Sequence, residues 1–573
     1  MILAMANVTT NKDISMVSSS RRTLKALPSI TLTAAITTAV FLSGCGDKEA
    51  SNAGASAKID PNVLAEKQQI VINNGTEPES LDPHKISGLP EANIIRQQLV
   101  GLVTTDAKGK TIAAMAKSWQ SEDNKVWVFK LRDAKWSNGD PVTAQDFVYS
   151  LRRVVDPKTA SPYGNYLVDA KVVGAEAIIN GKQSPDTLGV KALDNKTLEV
   201  RLTEPVPYFV DMLIHTSTSP VHPATVEKFG VKWTDPKNIV VNGPYKISEW
   251  SVNDKIVLQR NPAYYDNAHT TIDTITLLPI ESETTNVARY KAGEIDIGAG
   301  MPTEQFDELK AELGDQIQVS PSLCSFYYQY NNKKPPFDDV RVRRALAIAL
   351  DRDTITQKVM GQGQTPAYQY TPPSIQGMTP FTPEWQSWDQ KKRVTEAKKL
   401  LNEAGYNEQH PLKFELLYNT NEGNKKLAVA TSSLLKEAIG FVDVSLMNKE
   451  WKTFLDTFRN GNYQLARYTW CGDYNEPSTF LNIAKSGNSN NWGGYSSVKF
   501  DSIMNQTLKE GVTAEQRAEL YRQAEAQLDA DMPQLNVFHI VKLSMVKPYV
   551  INFPLQDPLS NWQIKDVSIA KHD

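Results

Sequence analysis

The chain has 573 residues with 62 basic and 65 acidic side chains, so its formal net charge is −3 at pH 7. A balance so close to neutral excludes a protein that holds nucleic acid through an overall positive charge. The roughly 505 residues after position 68 are enough for two or three domains with their own hydrophobic cores.

The N-terminal region has the pattern of a secretory signal. Arg21, Arg22 and Lys25 precede a charge-free stretch over residues 26–46. A basic flank before a short apolar run is typical of a signal peptide, whereas the Thr, Ser and Pro residues in the run disfavour a transmembrane helix. The polar residues further upstream have no role in such a signal, which makes Met16 an alternative start of translation.

The apolar stretch ends in Leu42-Ser43-Gly44-Cys45, which resembles the bacterial lipobox. In that motif a small residue precedes a Cys whose thiol is acylated. We therefore predict a signal peptide with a lipobox over residues 1–45 and a lipid on Cys45 that anchors the chain to a membrane. Ordinary signal cleavage with a free Cys45 is the alternative. Residues 46–68, rich in Ser, Ala and Gly at their start, are predicted to form a flexible tether.

Processing at Cys45 also changes the charge and the cysteine count. Residues 1–44 carry four basic residues and one acidic residue, so the mature chain would have a formal charge of about −6. Lipidation of Cys45 would leave Cys324 and Cys471 as an even pair in an oxidising compartment. We predict one disulfide between them, with two unrelated buried thiols as the alternative.

Strand and helix patterns alternate along the chain after the tether. Val126–Leu131 is a predicted strand, followed by a turn and by a helix that Thr143 and Asp146 can cap. Further predicted helices are Val340–Leu350, Lys392–Ala404, Lys426–Ile439 and Ala514–Leu528, and further strands are Thr271–Leu278 and Leu412–Leu417. The mixture predicts an α/β architecture. Pro and Gly are evenly spread, which predicts domains joined by segments that cross back and forth.

Motifs for chemistry are missing from the sequence. It has no hydrolase, zinc-site or phosphate-loop motif, and its seven histidines are scattered. The segment Gly361-Gln362-Gly363-Gln364-Thr365 lacks the third glycine of a dinucleotide fingerprint. We therefore predict no enzyme activity, no metal site and no cofactor.

The segment Ala466–Pro477 joins a strand-like run and a Cys to a turn-forming Gly-Asp, with acidic and amide side chains after it. Together with six other segments, it resembles the periplasmic oligopeptide-binding proteins of bacterial ABC importers, which are family 5 extracellular solute-binding proteins. The six segments are Ser80–Lys85, Ala134–Phe147, Glu204–Phe209, Asn242–Tyr245, Lys334–Arg341 and Glu450–Asp456. The resemblance covers essentially the whole chain after the tether.

The resemblance implies an α/β, two-lobed, hinged periplasmic-binding-protein fold of type II, cluster C, with an additional third domain. Domain I would combine residues 69–98, 223–323 and 541–573. Domain II would be residues 99–222, and domain III, the peptide-binding lobe, residues 324–540. The implied function is that of a monomer in the periplasm or cell envelope that captures short oligopeptides and delivers them to the permease subunits of an ABC transporter.

The same resemblance implies a set of ligand-binding residues. Asp473 would receive the α-ammonium group of the peptide, which is mostly charged at neutral pH and needs an anion when it is buried. Arg467 would face the ligand's carboxylate end, with a structural ion pair as the alternative. A disulfide between Cys324 and Cys471 would hold the strand before Asp473. The other implied residues near the ligand are Trp470, Cys471, Gly472, Trp451, Tyr163, Leu89, Asn419, Asn475 and Glu476.

The chain departs from the family's pattern at the carboxylate end of the site. Met360, Phe458 and Asn424 stand where family members supply cations or imidazole, and Ser322 stands where an aromatic residue is usual. Either Arg459 supplies the missing charge or the preferred peptide length differs.

Three alternatives to a general peptide receptor follow from the sequence. One is a receptor specialised for murein tripeptide or dipeptides, and recycling of cell-wall peptides is a second role for either receptor. Asp473 does not separate these receptors, because all their ligands carry an ammonium group. Another is an extracytoplasmic peptide hydrolase, which would need metal ligands or a nucleophile. The last is a lipoprotein adhesin or chaperone, which should bind unfolded protein.

Overall fold

The structure, a computed structural model, describes residues 59–572. The predicted signal peptide, the predicted lipid on Cys45 and residues 46–58 of the predicted tether lie outside the described residues. Among residues 59–572, no helix combines the length and the apolar character that crossing a membrane requires.

Helices and strands alternate through the described chain. The strands are β1 (Gln69–Asn73), β2 (Val103–Thr105), β3 (Thr111–Ala113), β4 (Ala116–Gln120), β5 (Val126–Leu131), β6 (Val190–Asp194), β7 (Thr197–Arg201), β8 (Tyr245–Ser251), β9 (Lys255–Arg260), β10 (Thr274–Leu278), β11 (Ile297–Ala299), β12 (Ile317–Ser320), β13 (Cys324–Tyr330), β14 (Thr365–Pro366), β15 (Leu412–Asn419), β16 (Val442–Lys449), β17 (Leu465–Cys471), β18 (Gln534–His539), β19 (Lys542–Val546), β20 (Val550–Ile551) and β21 (Ser568–Ile569). The helices are α1 (Leu89–Gln98), α2 (Ala144–Val155), α3 (Tyr166–Asp169), α4 (Ala175–Ile179), α5 (Phe209–Met212), α6 (Pro223–Phe229), α7 (Glu283–Lys291), α8 (Phe306–Leu313), α9 (Val340–Ala349), α10 (Arg352–Thr354), α11 (Gln390–Glu403), α12 (Glu422–Ile439), α13 (Trp451–Arg459), α14 (Ser478–Leu481), α15 (Val498–Gln506) and α16 (Ala514–Asp531).

A seven-stranded sheet has the strand order β12-β19-β11-β1-β10-β9-β8. β1 pairs in parallel with β10 and β11, and its Ile70 and Ile72 are buried in the core. β19 comes from the C-terminal part of the chain and pairs antiparallel with β11 and β12. Distant stretches of chain therefore build one sheet. Its strands fall within the three segments predicted for domain I, although the domain division itself stays a prediction.

A four-stranded antiparallel sheet, β4-β5-β7-β6, is formed within residues 99–222. In β5, Trp127, Phe129 and Leu131 are buried while the residues between them are more exposed, which is the period-two pattern of a half-buried strand. Helix α2 begins where the Asp146 carboxylate accepts a hydrogen bond from the backbone N–H of Thr143 at 2.9 Å. The predicted strand and the predicted capped helix are thus both confirmed.

A six-stranded sheet, β14-β18-β13-β17-β15-β16, lies within residues 324–540. β13 and β17 pair antiparallel, and their register places Cys324 directly opposite Cys471. The two residues form a disulfide, which confirms the predicted pairing. The disulfide fixes the end of β17, and Asp473 follows two residues later.

The other predicted helices and strands are present with small shifts of their ends. Helix α12 starts four residues before the predicted Lys426, because the side chain of Asn421 accepts a hydrogen bond from the backbone N–H of Asn424 and caps the helix. It ends at Gly440, whose φ of 90° lies in the left-handed region. Helix α16 is capped by Thr513, as predicted.

The predicted tether extends too far along the chain. Val63 and Ala65 form backbone hydrogen bonds with the C-terminal residues Lys571 and Ile569, at 2.7 and 2.8 Å. The side chain of Gln68 also bonds to the backbone of Ile569. The globular fold therefore begins before position 68, because this short N-terminal segment has backbone partners at the other end of the chain.

Candidate functional site

A cavity of about 570 Å³ lies between the parts of the chain that carry the seven-stranded, the four-stranded and the six-stranded sheet. Nine of the eleven predicted ligand-binding residues line it: Leu89, Tyr163, Asn419, Trp451, Arg467, Trp470, Cys471, Gly472 and Asp473. Residues from four distant parts of the sequence thus meet at one site. Asn475 and Glu476 do not line this cavity in the described structure.

β17 positions the central wall of the cavity. Beyond its last residue, the backbone N–H of Gly472 donates to the carbonyl oxygen of Leu323 at 2.8 Å, and that of Asp473 donates to the Thr479 hydroxyl at 2.8 Å. The Trp470 indole N–H donates to the carbonyl oxygen of Thr479 at 2.9 Å. These bonds hold the turn after β17 so that the Asp473 carboxyl group faces the cavity.

The carboxyl group of Asp473 is shielded from solvent, and no Lys or Arg of the described chain forms an ion pair with it. Tyr163 donates its hydroxyl to Oδ1 at 3.2 Å, and His215 Nε2 lies 3.4 Å from the same oxygen. Burial raises the pKa of Asp473 to about 8, and the Tyr163 hydrogen bond and the more distant Arg96 only partly oppose this shift. Burial also lowers the pKa of His215 to about 3, so its imidazole is neutral at pH 7. An arriving cation is the group that would favour the ionised carboxylate.

Asn475 and Glu476 serve the turn rather than the cavity. Asn475 accepts a hydrogen bond from the backbone N–H of Gln376 at 3.0 Å. The Glu476 carboxylate accepts bonds from the Tyr521 hydroxyl and from both the hydroxyl and the backbone N–H of Ser478. The chain turns after Asp473, so neither residue lines the cavity, and their predicted contact with the ligand stays a prediction.

Aromatic side chains form the walls around Asp473. The rings of Tyr163 and Trp470 stack with centroids 6.3 Å apart, and Tyr163 also packs on His215 at 4.2 Å. Trp451 stacks on Phe454 at the start of α13 with centroids 5.9 Å apart. Rigid apolar walls of this kind exclude water and leave polar recognition to a few groups.

Arg467 is a cation of the cavity wall. Its guanidinium lies 5.5 Å from the centroid of the Phe326 ring, and its Nε has no hydrogen-bond partner among residues 59–572. Burial lowers the pKa of Arg467 to about 10, which still leaves it charged at neutral pH. No carboxylate of the described chain lies within 4 Å of it, so the alternative of a structural ion pair is not supported.

The positions that depart from the family's pattern are divided between the cavity and the core. Met360, Asn424 and Ser322 line the cavity. Phe458 is buried and stacks on Tyr468 with centroids 4.5 Å apart.

Arg459 is not free to replace the missing cations. It donates to the Glu79 carboxylate at 2.9 and 3.1 Å and to the Ser87 hydroxyl at 2.6 Å. The structure therefore uses Arg459 in a bridge to the N-terminal part of the fold, outside the lining of the cavity.

Five acidic or basic cavity residues were missed from the sequence: Arg96, His215, Glu281, Glu283 and Lys542. None stands in a motif, and they come from four separate stretches of the chain. Only the assembled fold brings them to one place, so no local pattern could have identified them.

Two helix N-termini face each other beside the cavity. The Glu422 carboxylate, in the first turn of α12, accepts hydrogen bonds from the Ser282 hydroxyl at 2.9 Å and the Thr284 backbone N–H at 3.2 Å, at the start of α7. In return, Asn421 donates to Glu283 at 3.4 Å. Burial, together with the nearby Glu422 and Glu304, raises the pKa of Glu283 to about 7. We call this pair of contacts the reciprocal cap, because each helix offers a carboxylate to the other helix's N-terminus.

Comparison with known proteins gives the family. The model of "bacterial extracellular solute-binding proteins, family 5 Middle" matches residues 110–492. The chain belongs to this family. This family 5 protein is 53% identical to the periplasmic oligopeptide-binding protein OppA of Escherichia coli (strain K12) over 527 residues, which are 91% of this chain and 96% of that one. It is also similar to the crystal structure of Haemophilus influenzae OppA in complex with RPPGFSPFR, with a TM-score of 0.87, 46% identity and coverage of 89% of this chain and all of that one.

Two structures of one relative indicate the arrangement of this family 5 protein. The Escherichia coli murein tripeptide binding protein MppA, 41% identical, matches with a TM-score of 0.87 over 89% of this chain and all of that one. The unliganded open form of MppA, at the same identity and with coverage of 89% and 99%, gives only 0.64. Because both structures are of MppA, the difference in TM-score reflects a different relative arrangement of its lobes. The lobes of this protein are therefore not in the open arrangement, and the cavity is the cleft between them. Both matches confirm the predicted periplasmic-binding-protein fold.

Proposed function

We propose that this protein is the extracytoplasmic solute-binding component of an ABC transporter, that it captures short oligopeptides and that it delivers them to the membrane permease. The buried carboxyl group of Asp473 carries the proposal: it has an aromatic surround, neutral hydrogen-bond donors and no Lys or Arg nitrogen within 4 Å among residues 59–572. The names of the relatives, oligopeptide-binding and murein tripeptide binding proteins, support the same ligand class.

The α-ammonium group of a peptide fits Asp473 chemically. Its pKa is near 7.7–8.0, so it is mostly charged at neutral pH. Its charge would favour the ionised form of Asp473, and the two groups would form a charge-assisted hydrogen bond in a site shielded from water. Arg467 would take the peptide's carboxylate in the same way.

Backbone pairing would make binding tolerant of side-chain identity. Cys471 at the end of β17 and the following Gly472 line the cavity, and an extended peptide can bond to such a strand through its main chain. The pockets beside Trp451 and Trp470 would receive side chains, with water filling the remaining space.

The location follows from the same proposal. The lipobox that ends in Cys45 supports a lipid anchor, and the named relatives are periplasmic proteins. We therefore place the chain in the periplasm or cell envelope, tethered to a membrane. Its role there is binding rather than catalysis, in keeping with a family of solute-binding proteins.

A receptor for murein peptides is the second candidate function, because MppA matches this chain with the same TM-score as the peptide-bound OppA structure.

Native mass spectrometry of the purified protein, followed by release of its ligands under denaturing conditions, separates the two candidate functions. A series of short peptides of mixed sequence is the expected result. One defined mass, that of a murein peptide, would favour the specialised receptor. A protein that carries no peptide and binds none when peptides are added would contradict both.

A further inference from the structure

Lys542 is a second cation in the cavity wall. It is the first residue of β19, and its register places it opposite Ser320 of β12. Its Nζ is shielded from solvent and has no hydrogen-bond partner among residues 59–572. Burial lowers the pKa of Lys542 to about 8. A buried ammonium group without an acceptor costs free energy, so this position is a poor choice for a purely structural lysine.

Arg96 is another cation that lines the same cavity as Lys542. The side chain projects from α1 into the same cavity, and its Nε and Nη1 also lack hydrogen-bond partners in the described chain. The charge of Arg96 adds to the effect of burial and disfavours protonation of Lys542. We call Arg96 and Lys542 the cationic pair.

The two carboxylates that act on the cationic pair have other partners: Asp557 is hydrogen-bonded within the protein, and Asp473 is assigned to the ligand. Asp557 is fully buried and accepts hydrogen bonds from the Leu559 backbone N–H at 2.9 Å and the Thr105 hydroxyl at 3.4 Å. It favours the charged form of both cations but forms an ion pair with neither within 4 Å. Asp473, which also acts on Arg96, is assigned to the ligand's ammonium group.

A count of formal charges over this end of the cavity leaves at least one positive charge, because burial raises the pKa of Asp557 and can only enlarge the surplus. Arg96 and Lys542 contribute two, Asp557 offsets one, and Asp473 pairs with the ammonium group that arrives with the peptide. Burial of an unbalanced charge is unfavourable, whereas a ligand carboxylate at hydrogen-bond distance would compensate it.

Ser322 provides room for such a group. The backbone of residues 320–324 runs beside residues 540–542, through the pairing of Ser320 with Lys542 and a 2.9 Å bond from the Ile540 N–H to the Cys324 carbonyl oxygen. Ser322 therefore lies on the segment next to Lys542, and it lines the cavity. Its small hydroxymethyl group leaves more space there than an aromatic side chain would.

We propose that Lys542, together with Arg96, forms an anion subsite that binds a carboxylate of the peptide close to its α-ammonium group. The inference rests on the proposed function and names the ligand class that the same cavity prefers: peptides with Asp or Glu near the amino terminus. The C-terminal carboxylate of a dipeptide offers the same chemistry at a similar distance from the ammonium group.

Isothermal titration calorimetry at pH 7 tests the subsite. The ligands are tetra-alanine and tetrapeptides with Glu at position 1, 2 or 3, each beside the matching Gln peptide, and di-alanine beside its C-terminal amide. The protein is compared with Lys542→Met and, as a matched loss of one charge, with Lys358→Met, an exposed lysine outside the cavity. We expect the Glu peptide to bind at least about tenfold more tightly than the Gln peptide at one position, a typical coupling for a charge-assisted bond. That ratio should approach one in Lys542→Met and stay unchanged in Lys358→Met.

The ligand series separates the possible outcomes. A preference for free over amidated di-alanine that Lys542→Met removes, without any Glu preference, would support the subsite with the C-terminal carboxylate as its source. Equal affinities for Glu and Gln peptides at all three positions and for both dipeptides would overturn the subsite, while binding of tetra-alanine would leave the proposed function intact. A preference that persists in Lys542→Met, in a protein that still binds tetra-alanine and is therefore folded, would also overturn it. If none of the peptides binds the unmodified protein, the proposed function fails and the subsite fails with it.

Discussion

The hydroxyl of Tyr163 donates a hydrogen bond to Oδ1 of Asp473 at 3.2 Å, although the two residues are 310 positions apart. Tyr163 precedes α3 in the segment of the four-stranded sheet, and Asp473 follows β17 of the six-stranded sheet. The proposed ammonium site is therefore complete only when these two parts of the molecule are in contact. Ligand binding and the arrangement of the cleft should be linked for this reason.

Peptide binding should release a proton near neutral pH. In the free protein the raised pKa of Asp473, about 8, keeps its carboxyl group protonated at pH 7. Contact with a charged ammonium group requires the carboxylate, so the proton leaves. Above pH 8 Asp473 is already ionised and the amine, with a pKa near 7.7–8.0, must instead gain a proton. Calorimetry in buffers of different ionisation enthalpy should show release of nearly one proton at pH 6–7 and uptake at pH 9, with the change of sign near pH 8.

Asp473→Asn is the control for this linkage. Any residual binding should show no proton release at pH 7, since the amide does not titrate. Proton release of the same size in Asp473→Asn would contradict the assignment of the proton to Asp473.

Removal of the disulfide should destabilise the fold. It links residues 147 positions apart, and closure of so long a loop lowers the entropy of the unfolded chain by an amount worth about 5 kcal/mol in the chain-entropy model. The double variant Cys324→Ser, Cys471→Ser should lose about 3–5 kcal/mol of unfolding free energy in urea titrations. The oxidised protein treated with a reductant should behave like the variant, and an unchanged urea midpoint would contradict the expectation.

The reciprocal cap should slow ligand release. Glu422 bonds to Ser282 and Thr284 at the start of α7, and opening of the cleft would break these contacts. Because Glu422 is exposed, we expect a modest effect: in Glu422→Ala the dissociation rate of a bound peptide, measured by stopped flow, should rise about two- to fivefold. Glu437→Ala removes the same charge from an exposed position of α12 and should leave the rate unchanged. Equal rates in the two variants would show that the reciprocal cap does not hold the cleft.

Arg467 should act on the carboxylate end of the ligand. Arg467→Met should weaken binding of peptides with a free carboxylate about ten- to a hundredfold, as expected for a charge-assisted hydrogen bond, and should spare their C-terminal amides. Titrations over di- to pentapeptides should show the largest effect at the length whose carboxylate reaches the guanidinium. Arg344→Met, which removes a cation that pairs with Asp529 at 3.4 Å, is the control. Equal losses for acids and amides would mean that Arg467 acts only through the structure of the wall.

The parts of the fold that were predictable have local causes. The strand at Val126–Leu131 follows from its period-two apolar pattern, and the start of α2 follows from the Thr143 and Asp146 capping pair. The disulfide was predictable because removal of Cys45 leaves two cysteines, Cys324 and Cys471. In each case a few neighbouring residues, or a count of one residue type, are sufficient.

The motif on β17 predicted one part of the site, and the family resemblance predicted Leu89, Tyr163, Asn419 and Trp451 in the rest of the cavity wall. β17 and the turn to Asp473 were identified, but the same run suggested Asn475 and Glu476, whose side chains turn away once the chain bends. Arg96 and Lys542 were missed, because their roles depend on burial and on missing hydrogen-bond partners. Such properties arise only after distant segments assemble into one sheet and one cavity.

The most direct test of the account compares tetra-alanine with its Nα-acetyl derivative, which lacks the ammonium group. By titration calorimetry at pH 7, the unmodified protein should bind the free peptide at least about a hundredfold more tightly, since a buried charge pair is at stake. Asp473→Asn should bind both peptides weakly and equally, whereas Asp456→Asn, an exposed position of α13, should behave like the unmodified protein. Equal affinity of the unmodified protein for the two peptides would contradict the claim that Asp473 receives the peptide's ammonium group.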